Sequence, residues 1–354
     1  MKKIKVNSKN SYFVYIGDNI FSNIGSILKK TLKINCKIFI ITDELVFNIY
    51  GRMLEENLKR YGFSVFSFVL KNEEKSKNLE NVKRAYKFLF KFKVSRKDLI
   101  FAFGGGMICD FSGFVASTYQ RGIKFLNFPT TLLSQVDSAI GGKNAVNLEF
   151  GKNFVGTIYS PSFVFCDVFL LKTLSKRDFF SGFSEIVKYA VCFSKSLFKV
   201  LVEKDVFSSL EEIIYSSIKI KKEIVEVDEF EKKDRIKLNF GHTVGHALEK
   251  YSGFKMLHGE AVSLGMVYIT KCSYKAGLTK FEDFLKLKFI LRKFKLPTVM
   301  NAPFEDIFQN ILADKKIFGG YIKVCIIKNI GRSFIFSFSI EKFKEFLKGW
   351  NIWF

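Results

Sequence analysis

The sequence predicts an α/β domain with a parallel sheet, followed by a mostly α-helical C-terminal domain. In the first half, short apolar runs alternate with helix-patterned stretches, which implies parallel strands with helices between them. From about Leu174 onward apolar residues recur three and four apart, in Phe183–Ala190 and Leu210–Val225, which is helical spacing. With 354 residues the chain is long enough for two cores. The join is expected near Pro161–Thr173, giving domains 1–172 and 173–354 with the site in the cleft between them.

Taken in order, Lys37–Asp43 reads as a buried strand ending at an acidic residue, and Glu44–Tyr61 as a helix. Ser64–Leu70 is a second strand and Leu79–Phe92 a second helix. Asp98–Phe103 is a third strand, running straight into Gly104, Gly105 and Gly106.

Bulk properties narrow the function classes. Hydrophobic and charged contents of 48% and 26% are those of a globular protein. No uncharged run reaches the roughly 18 residues that a membrane span needs, so no membrane partner is expected. After the basic start, only Tyr12–Ile16 forms an apolar run, too short for a signal peptide. The six cysteines are scattered without a C-x-x-C pair, which suggests reduced thiols and a cytoplasmic location. The net charge of +23 is spread along the chain with no nucleic-acid motif, so no nucleic-acid partner is expected. A positive field of this kind still suits anionic substrates and a dinucleotide.

The three histidines are the sharpest signal, because all fall between residues 242 and 258. His242 and His246 lie about one helical turn apart and share a helix face, and His258 follows closely. Neutral imidazole is the commonest protein ligand for zinc, and Glu185, at the start of a helix, can add a carboxylate. One carboxylate with two imidazoles leaves open positions on the ion, the arrangement of a catalytic site. Thr243 follows His242 where an H-E-x-x-H protease would carry its Glu, so that class is excluded.

Gly104–Asp110, between a strand and a helix, can bring backbone N–H groups to a phosphate, or can simply make a tight turn. It is not the G-x-G-x-x-G fingerprint, since Cys109 takes the last glycine slot. Asp43 can accept from a ribose, or can cap the helix that follows it. Lys143 and Lys152 suit phosphate or carboxylate contacts, or belong to a solvated loop. The residues alone argue for a cofactor-and-metal enzyme acting on an anionic, hydroxylated substrate.

Together these stretches resemble 3-dehydroquinate synthase, within the sugar-phosphate cyclase group. The likeness is carried by Gly104–Asp110, Gly113–Gly122, Pro129–Asn147, Glu185–Tyr189, Asn239–Glu260 and Asp314–Lys316. The resemblance implies an N-terminal NAD-binding domain, a helical metal- and substrate-binding domain, a homodimer, and NAD with a divalent metal, zinc or cobalt. By position, Glu185, His242 and His258 match the metal ligands, and His246 a substrate-contacting residue that assists proton transfer. Asp137, Lys143, Lys152, Asn153, Lys188, Lys221, Arg235, Asn239 and one of Lys315 and Lys316 match substrate contacts, with Lys316 preferred. Glu231 matches a carboxylate of the active site. Asp43, Glu74, Lys77, Gly105, Gly106, Asp110, Thr130, Thr131 and Thr173 match NAD contacts, where Lys143 and Lys152 also contribute.

The implied reaction converts 3-deoxy-D-arabino-heptulosonate 7-phosphate to 3-dehydroquinate and phosphate, a step of aromatic amino acid biosynthesis. It combines transient oxidation, phosphate elimination, re-reduction and aldol closure, with no net redox change. The rivals are a sister cyclase such as 2-deoxy-scyllo-inosose synthase, and a metal-dependent polyol dehydrogenase. Four residues depart from the family pattern: Glu73, Cys109 and Ala190 replace glycines, and Asn144 replaces a Thr. Cys109 would add a Cβ where backbone and pyrophosphate come close, so Cys109→Gly is expected to tighten NAD binding.

Overall fold

The structure, a computed structural model, describes residues 1–32, 36–231, 233–313, 317–318 and 320–349. The chain divides into two compact units, Met1–Leu174 and Ser175–Phe354.

The first unit is built on a seven-stranded sheet in the order β1-β2-β9-β6-β5-β3-β4. Its strands are β1 (Lys2–Val6), β2 (Tyr12–Gly17), β3 (Lys37–Asp43), β4 (Ser64–Leu70), β5 (Leu99–Gly104), β6 (Lys124–Pro129) and β9 (Phe163–Asp167). All neighbours are parallel except the edge pair β1–β2. Parallel strands buried on both faces need apolar residues at odd and even positions alike, and these have them. Ile38, Ile40, Phe101 and Phe103 enter one core with Ile24, Leu28, Leu54 and Leu58 from the helices on that side. Phe39, Ile41, Ile100 and Ala102 enter the opposite core with Val82, Leu89, Ile108 and Val115. β3 and β4 have the bounds expected from the sequence, and the Leu79–Lys91 helix ends one residue earlier.

The polar stretch after Pro129 holds more structure than its glycines and amides suggest. A single turn, Ser134–Ser138, leads into an antiparallel hairpin of β7 (Lys143–Leu148) and β8 (Gly151–Ile158). Asn144 holds the base of the hairpin, donating to the carbonyls of Gly142 and Tyr159, both at 2.9 Å.

The second unit is mostly helical, as the apolar spacing predicts. Helices Lys176–Phe193 and His258–Lys275 are buried nearly all round along their middles, so they form its centre. Helices Leu210–Val227, His242–Tyr251 and Phe281–Lys293 belong to the same unit. An antiparallel pair, Tyr321–Asn329 with Arg332–Ser339, was not anticipated, although Phe334, Phe336 and Phe338 alternate with the period of a strand.

Candidate active site

The four side chains singled out around a metal come together in the second unit. Each is placed by a helix terminus or a close helix crossing. Ser175 caps the Lys176–Phe193 helix by accepting from the Asp178 N–H at 3.1 Å, and Glu185 sits mid-helix rather than at the helix start expected from the sequence, fully buried. His242 opens its helix just after Gly241, whose φ of 79° is left-handed and favours glycine. His258 opens the next helix, where Glu260 accepts from the Leu257 N–H at 3.0 Å. Glu260 also takes both arms of Arg177 at 2.7 Å, joining that helix to the one bearing Glu185. Beside them, a Cβ on Gly259 would stand 2.0 Å from the Ser181 carbonyl oxygen. Only glycine lets the two helices approach this closely.

The geometry that results converges on one carboxylate. Glu185 Oε1 lies 3.6 Å from His242 Nε2 and 3.7 Å from His258 Nε2. Both Glu185 oxygens are buried without a hydrogen bond of normal geometry, although the Lys188 ammonium forms an ion pair with one of them. The far side of each ring is tied down. His242 Nδ1 lies 3.1 Å from the Phe240 carbonyl, and His258 Nδ1 lies 3.2 Å from Glu249 Oε2. Metal-ligating histidines characteristically hold such a partner at the second nitrogen, which fixes ring orientation and tautomer. Ligand atoms 2.0–2.2 Å from a tetrahedral ion stand about 3.3–3.6 Å apart, close to the separations here. One atom from each of Glu185, His242 and His258 lies within 4.8 Å of the others, so the three can hold a metal ion. Burial alone would lower the His258 pKa, but Glu185 and Glu249 outweigh it and push the value up to about 10. The His246 ring stands 5.5 Å from that of His242 and 6.0 Å from that of His258.

Other named residues of this unit are buried or hydrogen-bonded within it. Arg235 is buried, with its backbone N–H on Asp228 at 3.1 Å and its guanidinium on the Glu229 carbonyl. Asn239 donates to Glu231, which has a left-handed φ of 57°. Lys221 is buried on the Leu210–Val227 helix. Lys315 and Lys316 lie outside the described residues.

In the first unit, Gly105 and Gly106 lie where β5 meets the Gly106–Thr118 helix, whose N-terminus has no side-chain cap. Its leading N–H groups are therefore available to an anion. A Cβ on Gly106 would meet Ser138 Oγ at 2.9 Å, and one on Gly105 would meet Thr131 Cγ2 at 3.3 Å. Thr130 donates its N–H to the Gly104 carbonyl at 3.0 Å, and the Thr131 and Ser134 hydroxyls are 2.7 Å apart. Such a backbone cradle fits a pyrophosphate.

Lys77 gathers a second group, with Nζ 2.7 Å from Asp110 Oδ2, 2.6 Å from Asn153 Oδ1 and 3.9 Å from Glu74 Oε1. Burial works against its charge, but Asp110 and Glu74 raise its pKa on balance. Asp43 and Thr173 have protein partners of their own. Asp43 is buried and caps its helix by accepting from the Val46 N–H at 3.1 Å, and Thr173 meets the Tyr50 hydroxyl at 2.8 Å. Asp137 is half-buried in the turn after Thr131, whereas Lys143 and Lys152 lie on the hairpin strands.

Cys109 corrects the expectation attached to it. Its side chain is 1% exposed, and its sulfur points at the Gly104 carbonyl, 3.9 Å away. It occupies the core face of the helix and leaves the cradle clear. Glu73 likewise needs no glycine, since its φ of −149° is ordinary extended backbone. Asn144 has its room from Gly113, where a Cβ would come within 1.8 Å of its side-chain oxygen. Sequence reasoning missed Glu249 and Asp228. The signal for Glu249 was present, since it stands three residues after His246 and seven after His242, on the same helix face.

Comparison with known proteins identifies the family. The family descriptions 3-dehydroquinate synthase N-terminal and C-terminal match residues 67–181 and 182–317. The 3-dehydroquinate synthase of Clostridium acetobutylicum is 42% identical over 92% of this chain and 93% of its own length. That of Streptococcus suis is 41% identical over 98% of this chain and 99% of its own. Among solved structures, a 2-deoxy-scyllo-inosose synthase with carbaglucose-6-phosphate, NAD+ and Co2+ superposes with a TM-score of 0.89. It covers 98% of this chain and 100% of that one at 23% identity, a likeness of fold. With both halves matched and relatives this similar along nearly all of its length, the chain belongs to the 3-dehydroquinate synthase family.

Proposed function

We propose that the protein is a 3-dehydroquinate synthase, converting 3-deoxy-D-arabino-heptulosonate 7-phosphate to 3-dehydroquinate and phosphate. The observation that carries this reading is the buried Glu185 carboxylate facing two imidazole Nε2 atoms whose other nitrogens are already engaged. Glu185, His242 and His258 would hold a divalent cation, zinc or cobalt. Gly105, Gly106, Thr130 and Thr131 would receive the NAD pyrophosphate, with Asp43, Glu74, Lys77, Asp110 and Thr173 completing that site. When bound, NAD would supply the transient oxidation and re-reduction of one carbinol carbon, and the cation would polarise the oxygen there.

The chain's own groups do the remaining work. Lys188, Arg235 and Asn239 suit a substrate carboxylate, and this favours the heptulosonate over a sugar phosphate that lacks one. Lys143, Lys152, Asn153, Lys221 and Lys316 supply positive charge and donors for the leaving phosphate and the hydroxyls. His246, on the same helix face as His242, is placed to carry a proton during the elimination. Asp137 and Glu231 are acceptors for substrate hydroxyls. Holding the intermediate by so many groups orients it for the intramolecular ring closure.

Among the described residues no helix is long and apolar enough to cross a membrane. We place the enzyme in the cytoplasm as a homodimer, on its scattered thiols and its family. The test is to incubate the protein with NAD, Co2+ or Zn2+ and the heptulosonate phosphate. Phosphate release and 3-dehydroquinate without accumulated NADH support the synthase. NADH accumulation indicates a dehydrogenase, and turnover only of another sugar phosphate a sister cyclase. Glu185→Gln should abolish both bound metal and phosphate release.

A further inference from the structure

We propose that Glu249 is a positioning residue, setting the His258 ring so that Nε2 faces Glu185. The inference rests on the metal-site reading above and adds to it a residue outside the ligand set.

The two candidate imidazole ligands are held differently. The Nδ1 atom of His242 meets a neutral acceptor, the carbonyl of Phe240, two residues back in its own chain at 3.1 Å. Local backbone geometry therefore fixes that ring. His258 begins a different helix, is one-third exposed, and has its Nδ1 on Glu249 at 3.2 Å. Glu249 is itself 9% exposed and stands two turns beyond His242 on the same helix. Burying a carboxylate is unfavourable unless it is paired. Its contact with His258 links the helix of one imidazole to the ring of the other. A carboxylate at Nδ1 also makes the opposite nitrogen a stronger donor to a cation than a carbonyl does.

Glu249 has a competing role. One atom from each of His246, Glu249 and His258 also falls within 4.8 Å of the others, so Glu249 is spaced to be a ligand itself. The two roles make different predictions. A ligand carboxylate lost to an amide is a first-order loss, equal to that at Glu185. A positioning carboxylate lost to an amide keeps an acceptor at Nδ1 and gives up only charge.

The experiment measures Co2+ affinity by competition with a chelator, together with the visible absorption of bound Co2+, in wild type, Glu249→Gln, Glu249→Ala and Glu185→Gln. Expected are a loss of about 3- to 10-fold for Glu249→Gln, with a wild-type band pattern, and about 10- to 100-fold for Glu249→Ala, with an altered one. If the alanine variant fails to fold, the glutamine variant decides by the same measures. Wild-type affinity and spectrum in the folded Glu249 variants would overturn the inference. So would a Glu249→Gln loss as deep as that of Glu185→Gln, which would make Glu249 a ligand. Retention of Co2+ by Glu185→Gln would instead overturn the metal-site reading itself, a separate outcome.

Discussion

The histidine cluster of the second unit and the glycine cradle of the first bind by opposite means. In the cluster every candidate ligand atom is a side-chain atom, and each imidazole is oriented by a further contact behind it. In the cradle the candidate donors are backbone N–H groups at an uncapped helix end, and side chains matter mainly by staying out of the way. A side-chain site tolerates no change of residue type at the ligand, but many changes nearby. A backbone site tolerates a change of residue wherever the side chain points away from it. Two departures of this chain from the family pattern, Glu73 and Cys109, lie in the first unit, with the cradle.

The sharpest way to break the comparison is to disturb the cluster through backbone alone. Gly259→Ala brings a Cβ to within 2.0 Å of the Ser181 carbonyl oxygen and must part the helices carrying Glu185 and His258. Overpacking of this kind costs about 1–3 kcal/mol. A shift of half an ångström is enough to spoil ligand geometry, so Co2+ affinity should fall by about 100-fold or more. Thermal unfolding and chelator competition check the two effects separately. Undiminished affinity would mean that the cluster adapts, and the contrast with the cradle would lose its force.

The next effect is in pH. Glu185 and Glu249 push the His258 pKa up to about 10, above the ordinary value of about 6.5. Near pH 7 a cation must therefore displace a proton from this ring to bind. Affinity should rise about tenfold per pH unit until the pH nears that value, then level off. Calorimetry in two buffers of different protonation enthalpy measures the proton released. Uptake independent of the buffer would show that the ring is neutral beforehand.

The cradle responds to intrusion rather than to chemistry. Gly106→Ala directs a methyl group at Ser138 Oγ, 2.9 Å from the ideal Cβ position, beside the leading N–H groups. NAD affinity should weaken by about tenfold, while Co2+ affinity is unchanged, because the residue belongs to the other unit. Titration of NAD fluorescence quenching in this variant and in Gly259→Ala gives a crossed test of the two regions.

Much of this was legible in the sequence, for reasons that differ by region. β3 was readable because a strand buried on both faces is a continuous apolar run, bounded here by charged or polar residues. The cluster was readable because histidine is scarce in this chain, and three in a short span carry information that the many lysines cannot. The β7–β8 hairpin was not, because its exposed face mixes Lys, Asn and Phe without the alternation that marks a half-buried strand. Glu249 was passed over because a carboxylate near a helix end is usually a solvated one, and only the fold brings His258 against it. At Cys109 the sequence could not say that the residue falls within the helix, nor which way its side chain turns.

That residue supplies the smallest and most discriminating effect. Cys109 is 1% exposed with its sulfur on the Gly104 carbonyl, and burial pushes its thiol well above the ordinary pKa. A side chain with so little surface has nothing to offer a ligand arriving from solvent. Cys109→Gly should therefore leave NAD affinity within about twofold of wild type. It should lower stability by about 1–2 kcal/mol, from lost burial and the added freedom of glycine within a helix. Calorimetry of NAD binding and thermal unfolding measure both. A marked tightening would mean that removing the side chain lets the loop backbone move toward the pyrophosphate, and the cradle would then depend on core packing as closely as the cluster depends on its ring partners.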